Sequence, residues 1–162
     1  MTMSMPYSSM ASLPLSLTDC MGTAEAQFWI GVHGAVIGER NRILLLRRAP
    51  TMLYCPGHWD LPGGHLTHDE NFDECLHREI AEETGLQVEL GPLLGINKAN
   101  DGPYVQMIFA CRMKPPFRQI KLRPEEHDAA QWINAAQIDQ VSPLIPYLDA
   151  ILARGMLDHI IF

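Results

Sequence analysis

The stretch that decides the fold is GHLTHDENFDECLHREIAEETGL, residues Gly64 to Leu86. Asn71 occupies the position of a helix N-cap, and Glu74 follows it at the spacing of a capping box. Gly85 stands where the C-terminus of a helix favours a residue in the left-handed conformation. These signals predict a helix from about Phe72 to Thr84.

One face of this predicted helix carries both apolar and acidic side chains. At 100° per residue the apolar stripe is formed by Phe72, Cys75 and Leu76. Glu79 and Glu83 fall within roughly 20° of the stripe, and Glu82 lies about 80° away. Carboxylates that face the core repel one another and lose hydration, so they need protons or a compensating cation. The alternative is that the three glutamates form an ordinary solvated face of the helix.

The spacing of the fixed residues in this segment resembles the Nudix box in full. The matching positions are Gly64, Glu70, Arg78, Glu79, Ile80, Glu82, Glu83, Gly85 and Leu86. The preceding run from Trp59 to Gly63 and the flanking predicted strands fit the same family. The resemblance implies a Nudix domain that covers about Gln27 to Arg154.

The resemblance also implies a metal site and its support. In Nudix enzymes the glutamates that correspond to Glu79, Glu82 and Glu83 hold Mg²⁺ or Mn²⁺, and the carbonyl of Gly63 would add a further ligand. Arg78 would orient a glutamate through an ion pair, for which Glu70 is the natural partner. Such an oxygen-rich ligand set suits a hard cation that also contacts substrate phosphates.

The implied reaction is the attack of water on a phosphorus of a nucleoside diphosphate that is linked to a group X. Either Glu79 or a glutamate from a later loop, Glu125 or Glu126, would act as the general base, and Glu126 is slightly favoured. For each loop glutamate, a solvated surface charge is an equally weighted alternative.

Four further residues are candidates for contact with the substrate. Arg47 and Arg48 end the second predicted strand, as phosphate-binding arginines do in the family; since neighbouring strand residues point to opposite faces, we expect only one of them to serve. His65 could contact a phosphate or a base. Tyr104 could stack on a base, although a tyrosine at the start of a strand more often packs in the core.

The substrate itself is not decided by these residues. The run from Leu61 to Leu66 resembles relatives that hydrolyse nucleoside triphosphates, which are therefore slightly favoured. Tyr104 lies near the tyrosine of diadenosine polyphosphate hydrolases, and Pro103 lies near the proline of ADP-ribose hydrolases. A nucleotide-sensing Nudix module without catalysis is a further alternative, but such modules usually lack box carboxylates.

Outside the box, alternating and β-branched runs predict strands. They are Phe28 to Ile37, Ile43 to Arg47, Trp59 to Leu61, Val88 to Leu94, Tyr104 to Met113 and Ala129 to Ile133. The first two are expected to form a hairpin, and a second helix follows Ser142. The expected fold is α/β, a Nudix-like α/β/α sandwich with a central mixed sheet.

Composition limits the function classes. The chain has 162 residues, which predicts a single domain. Its net charge of -7 argues against nucleic-acid and anionic-membrane partners. We expect residues 1–26 to be a flexible leader and residues 27–162 to be the Nudix domain. The first basic residue is Arg40, so signal and transit peptides are not expected. Well-separated cysteines indicate reduced thiols and a cytoplasmic location.

The oligomeric state is open at this level. Dimers are common in the family, and the apolar tail from Met156 to Phe162 could form the interface of a homodimer. The same tail could instead cap the core of a monomer.

Overall fold

The computed structural model describes residues 26–116 and 118–158. The predicted leader lies almost entirely outside the described residues, as do Cys20 and the last four residues of the tail, so those expectations remain predictions. The elements are numbered below in chain order.

Helix α1 spans Phe72–Thr84, as predicted. The Asn71 side chain accepts a hydrogen bond from the Glu74 amide at 3.0 Å, and the Glu74 carboxylate accepts one from the Asn71 amide at 2.9 Å. Gly85 ends the helix at φ 70°, and its N–H donates to the Ala81 carbonyl. The capping box and the glycine stop are thus both confirmed, and they fix the rotation of the acidic face.

The sheet has seven strands in the described part of the chain. They are β1 (Trp29–Ile37), β2 (Arg42–Arg48), β3 (Trp59–Asp60), β4 (Gly63–His65), β5 (Val88–Lys98), β6 (Tyr104–Met113) and β7 (His127–Asn134). Strand β1 is parallel to β6 and antiparallel to β4. Strand β2 pairs with β3 and β7, and β5 pairs with β6, all antiparallel. The predicted mixed sheet is confirmed.

Three details differ from the sequence expectations. The expected β1–β2 hairpin pairs only Ile37 with Ile43, because β1 is occupied along most of its length by β4 and β6. The run of Pro62, Gly63 and Gly64 is predicted from its composition to form a turn, but the two glycines lie in β4, because a residue without a Cβ can lie close against β1. Strand β5 continues to Lys98, past the predicted end at Leu94, and tolerates Gly91 and Pro92 through irregularities in its register.

Helices cover both faces of the sheet. Cys75, Leu76 and Ile80 of α1 pack against buried residues of β1 and β2 on one face. On the other face, helix α2 (Pro146–Ala153) buries Leu148 and Ile151. The expected α/β/α sandwich is therefore present, and each face contributes its own core.

The tail after α2 also reaches this second core. Leu157 is buried in it, and Met156 packs against it. These two residues cap the core, as one of the two sequence interpretations proposed. The cysteines at 55, 75 and 111 carry free thiols. Within the described residues, every helix is too short or too polar to cross a bilayer.

Gly63 allows β4 to lie against β1, and its replacement tests that constraint. Its φ is 150°, and an added Cβ would overlap the Val32 carbonyl oxygen. We expect Gly63→Ala to lower the free energy of unfolding by at least about 3 kcal/mol. The matched control is Gly57→Ala, where φ is 74° and nothing lies within 4 Å. In urea denaturation, the free energy of unfolding of that variant should fall by only about 1–2 kcal/mol, the cost of a positive φ at an alanine. Equal losses in the two variants would contradict the close approach.

Candidate active site

The C-terminal half of α1 meets β4 at Glu83. The Gly63 N–H donates to Glu83 Oε2 at 2.9 Å, which joins the helix to the strand. The Glu83 side chain is only 5% exposed. Glu83 therefore has a fixed position, and one of its oxygens, Oε1, is left for other partners. Gly63 is brought to the acidic group through this N–H, whereas its carbonyl as a ligand remains a prediction.

Glu79 lies one helical turn before Glu83 and packs on Gly64. A Cβ added to Gly64 would overlap the Glu79 carboxylate, so glycine at this position makes room for the acid. Arg78 Nη1 donates to Glu79 Oε1 at 2.8 Å. The side chain of Glu79 faces inward, as the helical phase predicts.

Arg78 also binds Glu70 with two parallel hydrogen bonds. Its Nη2 and Nε donate to the two carboxylate oxygens at 2.8 and 3.0 Å. The hydrogen bonds from Arg78 hold the pKa of Glu70 down at about 2. Bidentate geometry fixes the direction of a guanidinium. Arg78 is thus held by Glu70 and in turn holds Glu79, the arrangement the sequence suggests for this pair; their roles in catalysis remain predictions.

Glu82 lies at the more open edge of the site. Its Oε2 is 3.4 Å from Arg123 Nη1, and the same nitrogen donates to Glu126 Oε1 at 2.9 Å. Arg123 thereby connects the helix to the loop that precedes β7. Of the two loop glutamates considered as general base, Glu126 joins the acidic group, whereas Glu125 is exposed and contributes a backbone contact to Thr51.

His127 is a buried site residue that the sequence interpretation missed. It is the first residue of β7, and its Nδ1 lies 3.7 Å from Glu83 Oε1. This nitrogen is buried and has no hydrogen-bond partner among the described residues. Glu83, Glu126 and His127 each place a potential ligand atom within 4.8 Å of the others. The only sequence signal was that His127 directly follows a candidate base.

Burial makes this group electrostatically unfavourable without a cation. Desolvation raises the pKa of Glu83 well above its ordinary range, and nearby Asp60, Glu79 and Glu126 raise it further. Desolvation also raises the pKa of Glu79, against the opposing effect of Arg78. Glutamates that are drawn together and desolvated fit a divalent cation, because a bound ion replaces the lost hydration.

The two candidate arginines have different surroundings. Arg47 Nε and Nη2 donate to the carboxylate of Asp128 at 2.7 and 3.1 Å. Both side chains are partly exposed, and the Arg47 guanidinium lies 5.8 Å from the centre of the Trp59 ring. Arg47 is therefore engaged in a partly exposed ion pair with Asp128.

Arg48 is more buried than Arg47, with 15% of its side chain exposed against 42%. Its Nη1 is 3.3 Å from Asp60 Oδ2, and its Nε donates to the Tyr54 carbonyl. Asp60 also accepts a 2.6 Å hydrogen bond from the Tyr147 hydroxyl and is buried. Asp60 is close enough to affect the pKa of Glu83. Of the two arginines, Arg48 is thus linked to the site through Asp60.

An aromatic patch, Trp29, His65 and Tyr104, lies where β1, β4 and β6 begin or end. The rings of Trp29 and His65 meet edge to face at 6.3 Å. Trp29 is paired in register with Tyr104, and both side chains are largely exposed. The structure therefore brings His65 and Tyr104 together around Trp29, which sequence reasoning did not select.

Comparison with known proteins places this geometry in a family. A model of the NUDIX domain matches residues 28–154. A MutT-like protein of Streptomyces ambofaciens is 33% identical over 129 residues, which are 80% of this chain and 77% of that protein. Human nucleoside diphosphate-linked moiety X motif 6 is 28% identical over 80% of this chain, but the match spans only 43% of that protein.

A solved structure shows the same fold. The MutT protein of Methanosarcina mazei Go1 superposes with a TM-score of 0.70 at 27% identity, covering 84% of this chain and 96% of that one.

The raised pKa of Glu83 predicts how stability depends on pH in metal-free protein. The pKa of Glu83 is higher in the folded protein than its value near 4.5 in the unfolded chain. Its contribution to the free energy of unfolding is therefore fully present below pH 4.5 and is lost as the pH rises through the folded-state pKa. We expect Glu83→Gln to remove part of this loss, at most about 1.4 kcal/mol per pH unit. Urea denaturation in EDTA between pH 5 and 8 measures the free energy of unfolding of both proteins at each pH.

The control for this experiment is Glu89→Gln, at an exposed position of β5. It should follow the wild-type pH dependence. Identical pH dependence in wild type and Glu83→Gln would show that Glu83 ionises in the folded protein as easily as in water.

Proposed function

This chain belongs to the Nudix hydrolase family of pyrophosphohydrolases, and we propose that it hydrolyses nucleoside triphosphates with Mg²⁺ or Mn²⁺. The observation that carries the proposal is the group formed by Glu79 and Glu83, whose side chains face inward, together with Glu82 at its open edge. The burial of Glu79 and Glu83 and the repulsion between their carboxylates favour occupation by a divalent cation.

The proposed ligands are the Gly63 carbonyl and the carboxylates of Glu79, Glu82 and Glu83. When bound, the ion would polarise a phosphoryl oxygen and offset the charge of the reacting phosphates. The surrounding residues keep this group in place: the Gly63 N–H holds Glu83, and the pair of Arg78 and Glu70 holds Glu79. Positions held in advance need no reorganisation during the reaction.

We assign the general base to Glu126. Its side chain is partly exposed, so water can reach it, and it lies beside Glu83 at the edge of the site. Glu79 is the alternative, but its side chain is only 15% exposed, against 34% for Glu126, so water reaches it less easily. In the proposed reaction Glu126 accepts a proton from water while the water oxygen forms a bond to phosphorus. The bridging oxygen keeps the electrons of the broken bond and leaves with the other phosphoryl group.

Nucleoside triphosphates remain slightly favoured as the substrate class. Arg48 is linked to the acidic group through Asp60 and is proposed to contact the phosphates. The nucleoside would bind at the aromatic patch, where Trp29 and Tyr104 offer exposed rings for stacking. The same pair of rings supports diadenosine polyphosphates as the second candidate, since these substrates carry two bases. We also propose that the protein is located in the cytoplasm.

A substrate panel tests this function. With Mg²⁺ present, we expect turnover of nucleoside triphosphates to exceed that of ADP-ribose and diadenosine polyphosphates, measured as released phosphate or pyrophosphate. Glu82→Gln should lower kcat roughly hundredfold or more, because several kcal/mol of transition-state stabilisation depend on the ion. Glu89→Gln serves as the charge-matched control. Absence of turnover with every substrate would contradict the proposal.

The two arginines give a sharper test. We expect Arg48→Ala to lower kcat/KM by about 10- to 100-fold, the loss of one charge-assisted hydrogen bond to phosphate. Arg47→Ala should change kcat/KM less than about threefold, because Arg47 is engaged by Asp128 in a partly exposed ion pair. Since Arg48 also pairs with buried Asp60, Arg48→Lys and a thermal melt separate lost contact from lost stability. The reverse ranking of the two alanine variants would assign the phosphate contact to Arg47.

A further inference from the structure

His127 has no part in the function proposed above, yet its position is unusual. Its side chain is 4% exposed, and its Nδ1 is buried without a hydrogen-bond partner among the described residues. A buried polar atom without a partner costs free energy, so such an atom needs an explanation. The atom faces Glu83 Oε1, and Glu126 completes a close group of three.

We propose that Glu83, Glu126 and His127 form a mixed nitrogen and oxygen site that binds a first-row transition-metal ion in preference to Mg²⁺. Nδ1 of His127 is the nitrogen ligand. The proposal rests on the metal-dependent function above, because it shares Glu83 with that site. It adds a ligand and a metal preference that the glutamates alone do not provide.

The distances fit ligands of one ion better than a hydrogen bond. At 3.7 Å, His127 Nδ1 and Glu83 Oε1 are too far apart for a hydrogen bond. Two ligands that each lie about 2.1 Å from one ion are separated by roughly 3.0 to 4.2 Å, depending on the angle between them. The spread of 4.8 Å over the whole group would close to that range with small side-chain movements.

The chemistry of the donors sets the preference. Carboxylates bind Mg²⁺ readily, whereas imidazole favours transition metals, and affinities rise from Mn²⁺ to Co²⁺ along the first row. A neutral imidazole is needed for this role. Glu126 Oε1 already accepts a hydrogen bond from Arg123, but each carboxylate oxygen has two lone pairs, so Glu126 can give one oxygen to the ion and keep the other for the attacking water.

Pulsed electron paramagnetic resonance of Mn²⁺ bound to the full-length, substrate-free protein tests the nitrogen ligand directly. We expect electron spin-echo modulation from a coordinated ¹⁴N in the wild type. The modulation should change to the ¹⁵N pattern when histidine is ¹⁵N-labelled, a result that needs no substitution. It should be lost in His127→Gln and kept in His65→Gln, the nearby histidine on β4.

Titration calorimetry with Co²⁺ and Mg²⁺ tests the preference. His127→Gln should weaken Co²⁺ binding about tenfold or more and Mg²⁺ binding less than about threefold. Circular dichroism confirms that the variant is folded. Absence of nitrogen modulation in the wild type, or its survival in His127→Gln, overturns the proposal. Because neither experiment contains substrate, this failure is distinct from absence of triphosphate hydrolysis, which would overturn the proposed function instead.

Discussion

The hydrogen bond from the Gly63 amide to Glu83 is the contact on which the site depends. It joins β4 to the C-terminal half of α1 and holds a carboxylate where little water reaches it. Strand β4 can reach this position only because Gly63 lies flush against β1 and Gly64 leaves room for Glu79. Two consecutive glycines therefore bring the helix and the sheet to the separation at which acids converge.

Bringing the glutamates together creates electrostatic repulsion that the neighbouring side chains do not fully offset. Desolvation raises the pKa of both Glu83 and Glu79, and only Glu79 has a close arginine. Two further positive groups, Arg123 and Arg48, bind Glu126 and Asp60. In the proposed function a divalent cation would compensate the negative charge that these side chains leave uncompensated. Metal dependence would then follow from how α1 packs, and substrate choice would be left to the surrounding strands.

Local signals in the sequence were sufficient for helix α1, since its cap, stop and inward face depend on residues within a few turns. The positions of Glu79 and Glu83 followed from the same helical phase. The sequence could not predict that β1 pairs mainly with β4 and β6 and not with β2, because strand pairing depends on residues far apart along the chain. Nor could it select His127, Arg123 or Trp29, whose importance lies in neighbours far away along the chain.

Glu83 is a desolvated carboxylate, and we propose that a divalent cation keeps it ionised. The most direct test of this proposal is a pH titration of the Glu83 carboxyl by carbon NMR, with the signal assigned through Glu83→Gln. The account predicts a pKa above the ordinary glutamate value in metal-free protein and a marked fall when Mg²⁺ is added. An ordinary pKa that Mg²⁺ leaves unchanged would contradict the account.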